Sequence, residues 1–293
     1  MRETASVLET RPNSTPSFGP QRVCAEVRQV VAVEHVRRMR GGSQPHLMRC
    51  SDDNYYVVKF QDNPQHLRVL ANEWLGAQLA ARLSLPVPET AVVEVPTRLI
   101  NQSDDLVFQL GHARKKLRAG LQFGSRYPEN PNEMQVYDFL PDERLAEVEN
   151  LNAFLGMLVF DKWTCNTDGR QAVFYRPQGC LCYRASMIDQ GFCFNAGEWS
   201  FPDAPLRGLY PRTRVYEKVV GMKSFDPWLE RLEEEIGARI LDEIADQIPP
   251  EWYEFDKDAL QRLLEHLWIR RRRVRNLILS ARNTYRQPFP LWK

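Results

Sequence analysis

The sequence is poor in cysteine, in net charge and in long apolar runs. Six cysteines in 293 residues are too thinly spread for a disulfide scaffold, and reduced thiols suit a cytosolic compartment. Lys plus Arg number 39 against 38 Asp plus Glu, a net charge of +1, so no overall field draws the chain to nucleic acid or to an anionic membrane. No run approaches the ~20 apolar residues of a membrane helix, and residues 1 to 21 lack the apolar core of a signal peptide. A cytoplasmic protein without a membrane partner is expected. The five histidines, His35, His46, His66, His112 and His266, show no metal-ligand spacing. No serine stands in a Gly-x-Ser-x-Gly turn, so hydrolase and zinc-enzyme chemistry rank low.

What is present has the composition of an ordinary globular chain, 43% hydrophobic and 26% charged, with length for two cores. Residues 1–21, rich in Ser, Thr and Pro, cannot bury enough apolar surface to offset the entropy of ordering, and read as a flexible tail. β-Branched content predicts a strand over Val27 to Arg38, a turn at Gly41-Gly42, and strands at His46 to Cys50 and Tyr55 to Phe60. Leu67, Leu70, Ala71, Trp74, Leu75 and Leu79 then recur at helical spacing, and the helix ends before Pro86 and Pro88. Glu89 to Val95 is a further strand. The Gly, Asn and Pro content of Gly111 to Pro131 predicts a connection between two lobes. Leu151 to Phe160 is apolar nearly all round, as a buried helix is, and short strands follow at Ala172 to Tyr175 and Tyr183 to Ile188. Helical segments over Asp226 to Gln247 and Lys257 to Arg282 complete an α+β chain of two lobes, an amino-terminal sheet-rich lobe over 22–128 and a mainly helical one over 129–293.

The sharpest chemical signal is Asp161-Lys-Trp-Thr-Cys-Asn166 after the buried helix, followed by Ile188-Asp189-Gln-Gly191 at a strand end. A carboxylate beyond a helix C-terminus faces the negative end of the macrodipole, so Asp161 is not there for helix stability. Magnesium prefers carboxylate and carbonyl oxygens and keeps waters and phosphates as its other ligands, and Asn166 with Asp189 would supply such a pair. In phosphoryl transfer a loop Asp takes the incoming hydroxyl's proton, an Asn five residues on binds one metal, and an Asp before a glycine turn binds the other. Lys59 ends a strand on the face of Tyr55 and Val57, where an inward lysine needs an anion: nucleotide phosphate or Glu73. Gly41, Gly42, Ser43 and Gln44 form a turn whose backbone N–H groups could approach phosphate oxygens. Each half has a plainer reading, in which Asp161 and Asn166 merely shape a loop, Asp189-Gln-Gly191 turns a hairpin and Glu73 is solvated.

Two other clusters compete. Cys165, Cys180, Cys182 and Cys193 could hold zinc, but Cys180-x-Cys182 is too tight for the usual pairing, and small buried hydrophobes are the better expectation. Arg270 to Arg273 with Arg275, beside Trp268, could touch RNA, although such a run is more often a solvated helix face paired with acids such as Glu265.

Taken in order, the Gly-Gly-Ser-Gln-Pro45 turn, Tyr-Val-Val-Lys59, Asn72-Glu73 leading to Leu85-Pro-Val-Pro-Glu89, the Asp161 to Asn166 loop and Ile188-Asp-Gln-Gly191 resemble the HipA-like kinases, a branch of the protein-kinase superfamily. The likeness spans about residues 30 to 195. It implies a two-lobed kinase fold, ATP and Mg as cofactors, and transfer to Ser or Thr hydroxyls of a protein acceptor or of the chain itself. By it Asp161 is the catalytic base, Lys162 a supplementary charge, Lys59 the phosphate lysine paired with Glu73, Gly41 to Gln44 the phosphate turn, and Asn166 and Asp189 the metal ligands. Trp163 and Cys165 depart from the pattern, where relatives carry His and often Lys. That departure keeps two alternatives open: a pseudokinase that binds without transfer, and a kinase of a small molecule such as a sugar, an antibiotic or a lipid head group. The acceptor has no signature in the sequence.

Overall fold

The structure is a computed structural model that describes residues 27–293. The expected tail, with its Ser and Thr residues, and Cys24 lie outside the described residues.

Valine-rich β1 (Gln29–Arg38), β2 (His46–Cys50) and β3 (Tyr55–Lys59) run as an antiparallel meander. The β2–β3 turn is tightened by the Asp52 carboxylate, which accepts from the Asn54 backbone and the Tyr56 hydroxyl. After α1 (Val69–Arg82) comes β4 (Thr90–Val95), which pairs parallel with β1 and closes a barrel in the order β1-β2-β3-β7-β4. Its interior is filled by β-branched and aromatic side chains, among them Val30, Tyr56, Val58, Phe60, Val93 and Phe108. A short α2 (Thr97–Gln102) and a two-stranded ribbon of β5 (Val107–Leu110) and β6 (Ala113–Lys116) lie between β4 and β7 (Gly120–Arg126).

Here the sequence reading needs correction. Gly111 to Pro131 was expected to join two lobes, but it contains β6 and β7, and β7 is the barrel strand between β3 and β4. Gly111 and Gly120 take the left-handed backbone that favours glycine, while Gly124 answers packing: a Cβ there would lie 2.5 Å from Val93 Cγ2. The chain leaves the barrel only after Tyr127, whose N–H donates to the Tyr55 carbonyl.

The second half is built on α3 (Ala153–Thr164), in which only Leu155 escapes burial. The helix continues past Phe160, so Asp161 sits in its last turn and not beyond it. Cys165 ends the helix in the left-handed conformation (φ 53°), and the Asn166 N–H closes back on the Asp161 carbonyl. A three-stranded sheet of β8 (Val136–Tyr137), β9 (Gln171–Tyr175) and β10 (Arg184–Ile188) follows. Each long helical segment predicted near the C-terminus is two helices: α4 (Asp226–Glu234) and α5 (Ala238–Ala245) part before Gly237, while α6 (Lys257–Arg270) and α7 (Val274–Arg282) are joined by one 3-10 turn. One apolar core runs from α1 through α3 to these helices, with Trp74, Phe160, Trp163 and Trp252 at its centre. Among the described residues no helix is long and apolar enough to cross a membrane.

Candidate active site

Between the barrel and the β8–β9–β10 sheet lies a cleft of about 750 Å³. Its walls are Val57, Phe123 and Tyr127 on the barrel side and Val173, Met187 and Ile188 on the other, an apolar slot of the size that takes a nucleotide-sized ligand. The polar end is reached by three charged side chains far apart in sequence. Lys59 Nζ, on the last residue of β3, donates to Glu73 Oε1 from α1 and lies 2.9 Å from Asp189 Oδ1 beyond β10. Period-two alternation turns Lys59, with Val57, away from the barrel interior filled by Tyr56 and Val58 and towards the cleft, and Glu73, which read nearly as well as a surface residue, is buried.

Glu73 also fixes the loop that carries Asp189. Its two oxygens accept from the backbone N–H groups of Gln190 (3.1 Å) and Gly191 (2.8 Å). Asp189 itself has φ 63°, a left-handed backbone that Asp tolerates better than most residues and that concentrates where the surroundings over-determine it. Asn72 completes the clamp. Its Nδ2 lies 2.8–2.9 Å from the carbonyls of Gly191, Cys193 and Ala196, and its Oδ1 accepts from Trp199 Nε1.

Electrostatics follow from this crowding. Burial alone would lower the Lys59 ammonium, but Glu73 and Asp189 outweigh it and hold it above the ordinary lysine range. Burial pushes the Asp189 carboxyl up, yet Lys59 and the Arg170 guanidinium hold it below the usual carboxylate range. Burial pushes the Glu73 carboxyl up, so one ammonium faces two carboxylates of unequal acidity, an environment that accepts an added cation.

The turn expected to touch phosphate divides. Gly41 and Ser43 line the cleft, whereas Gly42 and Gln44 do not. Gln44 is spent on structure: its amide bonds reciprocally with Gln109, Nε2 to the carbonyl at 2.9 Å and Oε1 from the N–H at 2.7 Å.

The larger corrections concern Asp161, Asn166 and Lys162, none of which lines the cleft. The Asp161 side chain is wholly buried (0% exposed), with both oxygens taken by Arg170, Nη2 at 2.5 Å and Nε at 3.0 Å, and a third bond from Asn166 Nδ2. A carboxylate so enclosed cannot reach a substrate hydroxyl. Asn166 is equally internal, giving Nδ2 to Asp161 and accepting the Asp168 N–H on Oδ1. Lys162 points away, into a separate cavity of about 60 Å³, where Nζ donates to the Pro205 and Arg207 carbonyls, both at 2.6 Å. Burial drops its pKa to about 8.

Sequence reasoning missed the loop that does reach the site. Asp168 and Gly169 are exposed between α3 and β9. Gln171 lines the cleft and donates from Nε2 to Asp168 Oδ2 (3.3 Å). Arg170 turns inward from the same loop, binding the Ile188 carbonyl and Gln190 Oε1 (2.8 Å each), which ties the Asp168 loop to the Asp189 loop. The signal lay in Asn166-Thr-Asp168-Gly-Arg170, an Asp-Gly turn directly before a strand. The unusual Trp163 and Cys165 are packing and capping residues, Trp163 Nε1 donating to the Leu267 carbonyl deep in the core.

Residues 32–174 match the family model described as HipA-like kinase. Over that segment the chain is HipA-like. Among solved structures, the chain is similar to the proinflammatory kinase CtkA of Helicobacter pylori, with 14% identity over 85% of this chain and 98% of that one, and a TM-score of 0.51. That likeness shows a kinase-like fold of mixed sheet and helix. A Golgi casein kinase with Mn/ADP bound (11% identity, 90% and 73% coverage, TM-score 0.48) and hydra Fam20 with sugar (11%, 88% and 86%, 0.46) lie further off. No curated protein matches the chain.

The competing clusters resolve differently. Cys165 and Cys193 are buried, as expected of small hydrophobes, but Cys180 and Cys182 are exposed in the β9–β10 connection, so the four do not form one cluster. The arginine run is largely consumed inside the fold. Arg270 binds the Lys162 carbonyl and Asp203, Arg271 binds the Ile236 carbonyl and covers Trp268, Arg273 pairs with Asp203, and Arg275 with Asp226.

Proposed function

We propose that this chain is a Mg-dependent, ATP-dependent phosphotransferase acting on Ser or Thr hydroxyls of a protein acceptor or of itself. A barrel lobe reaching to residue 128 and a mainly helical lobe over 129–293 would close on the nucleotide, in the cytoplasm. The observation that carries the reading is the convergence of Lys59, Glu73 and Asp189 at the polar end of a nucleotide-sized cleft. Strand lysine, helix glutamate and a metal-binding aspartate before a glycine turn are the positioning parts of kinase-type transfer.

Within it, Lys59 holds phosphate oxygens, Glu73 fixes the lysine, and Gly41 and Ser43 border the phosphates. Asp189 would hold the metal, with the Gln171 side-chain carbonyl as the second protein oxygen in place of the enclosed Asn166. The donor chemistry fits: hard side-chain oxygens facing an open cleft with room for phosphate and water. Magnesium, when bound, supplies charge neutralisation between the phosphates. Asp168 takes the proton from the acceptor hydroxyl, the role its exposure permits and Asp161's burial forbids. Arg170 and Asp161 act behind it, holding the two loops together.

Purified protein with Mg-ATP, followed by ADP release and intact mass, tests this. Phosphate gain or ADP release that is lost with EDTA and in Asp168→Asn supports transfer with Asp168 as base. Nucleotide binding without turnover under every acceptor tried returns the pseudokinase reading; turnover only with a sugar, antibiotic or lipid head group returns the small-molecule reading.

A further inference from the structure

Adjoining the cleft is an open groove of about 600 Å³, lined by His35, Arg37, Arg38, Asp105, Gln109 and Arg114 among others. Arg37 and Arg38 line both groove and cleft, so the two adjoin. Successive strand residues normally point to opposite faces. Arg37 and Arg38, paired with Leu47 and His46 at the very end of β1, nevertheless both line this groove, as long side chains at a strand end can. The opposite wall, the β5–β6 ribbon carrying Arg114, is held in place by the Gln44–Gln109 pair.

The charges of this groove are not spent internally. Arg38 donates to the Gln44 side-chain carbonyl and Arg114 to the Asp104 backbone carbonyl; among the described residues neither they nor Arg37 pairs with a carboxylate. The other cations of the ribbon, Lys115 and Lys116, face Asp62 and Asp104 instead. Three exposed guanidinium groups against the single carboxylate of Asp105 make an anion-seeking surface at the mouth of the cleft.

We infer that this groove binds an acidic stretch of a protein acceptor and delivers the neighbouring hydroxyl to the cleft. This rests on the reading of the chain as a protein phosphotransferase. An acidic peptide fits better than RNA because the groove offers no aromatic face for a base. Its one ring, His35, is held between Ser103 and His46.

The test is fluorescence anisotropy with the full chain and a short labelled peptide bearing one serine among glutamates, beside the same peptide with alanine for glutamate. Mg-ATP binding is followed separately by thermal shift. The glutamate peptide is expected to bind about tenfold tighter than the alanine peptide and to weaken as salt is added. Arg114→Glu should remove most of that preference while the Mg-ATP shift persists. Lys115→Glu, an equal change in net charge outside the groove, should leave it intact. Equal binding of the two peptides, equal loss in both variants, or tighter binding of a single-stranded RNA of matched charge overturns the proposal. A peptide preference that survives with no Mg-ATP shift in the unaltered chain supports the groove and overturns the phosphotransferase reading on its own.

Discussion

At the scale of single residues, three carboxylates separate by what surrounds them. Asp189 is held ionised by Lys59, Asp161 is locked against Arg170, and Asp168 is exposed beside Gln171, which lines the cleft. Asp168→Asn is expected to lower turnover by about 10²–10⁴, the range of a lost general base, with an unchanged urea midpoint. Asp161→Asn should do the reverse first, destabilising by ~3–5 kcal/mol because Arg170 is left as an uncompensated buried charge. Equal stability of the two variants would refute this division. Lys162 gives a pH signature. Its folded pKa, lowered by burial to about 8, lies below the ordinary 10.5, so between those values the unfolded chain binds more protons and stability rises with pH. A neutral amine has two N–H bonds, matching the two carbonyls it meets. The difference in unfolding free energy between the unaltered chain and Lys162→Met should therefore shift in favour of lysine from pH 8 to 10.5, and a flat difference would exclude it.

At the scale of elements, the Asp189 loop is positioned by α1 as much as by its own strand. Asn72 and Glu73 hold its carbonyls and N–H groups, and Gly76 makes room for it: a Cβ there would lie 2.7 Å from Gln190 Cβ. Gly76→Ala should stabilise an isolated helix by propensity, but here it overpacks the contact. The expected outcome is a loss of ~1–3 kcal/mol and a fall in kcat larger than any change in KM for ATP. An unchanged kcat would mean that the loop moves freely over α1. The apolar pattern made α1 and α3 legible because 3.6-residue periodicity and all-round burial are local properties. The end of α3 was not, since the Cys165 left-handed cap carries neither Gly nor Asn to announce it.

At the scale of the whole molecule, the cleft is shared by the barrel and the β8–β9–β10 sheet, so a ligand spanning it couples both halves. Saturating Mg-ATP at about 100 times its dissociation constant should add ~2.7 kcal/mol to unfolding, seen as a raised Tm that disappears in Asp189→Asn. Persistence of the shift in that variant would place the nucleotide elsewhere. The net charge of +1 hides the distribution that matters. The arginine run of 270–275, the obvious basic feature of the sequence, is mostly bound to carbonyls and acids of its own fold, while the scattered Arg37, Arg38 and Arg114 converge unpaired.

By itself the sequence determined most of the order of strands and helices and the family likeness, and it offered Lys59, Glu73 and Asp189 as candidates. Inward lysine, glycine turn and strand-end aspartate are each constrained by backbone periodicity and turn chemistry, which are written locally. Only the tertiary structure distinguished the buried Asp161 from the exposed Asp168, since the two differ in what folds over them. Arg170, nine residues beyond Asp161, buries one carboxylate by pairing with it and leaves the other in solvent.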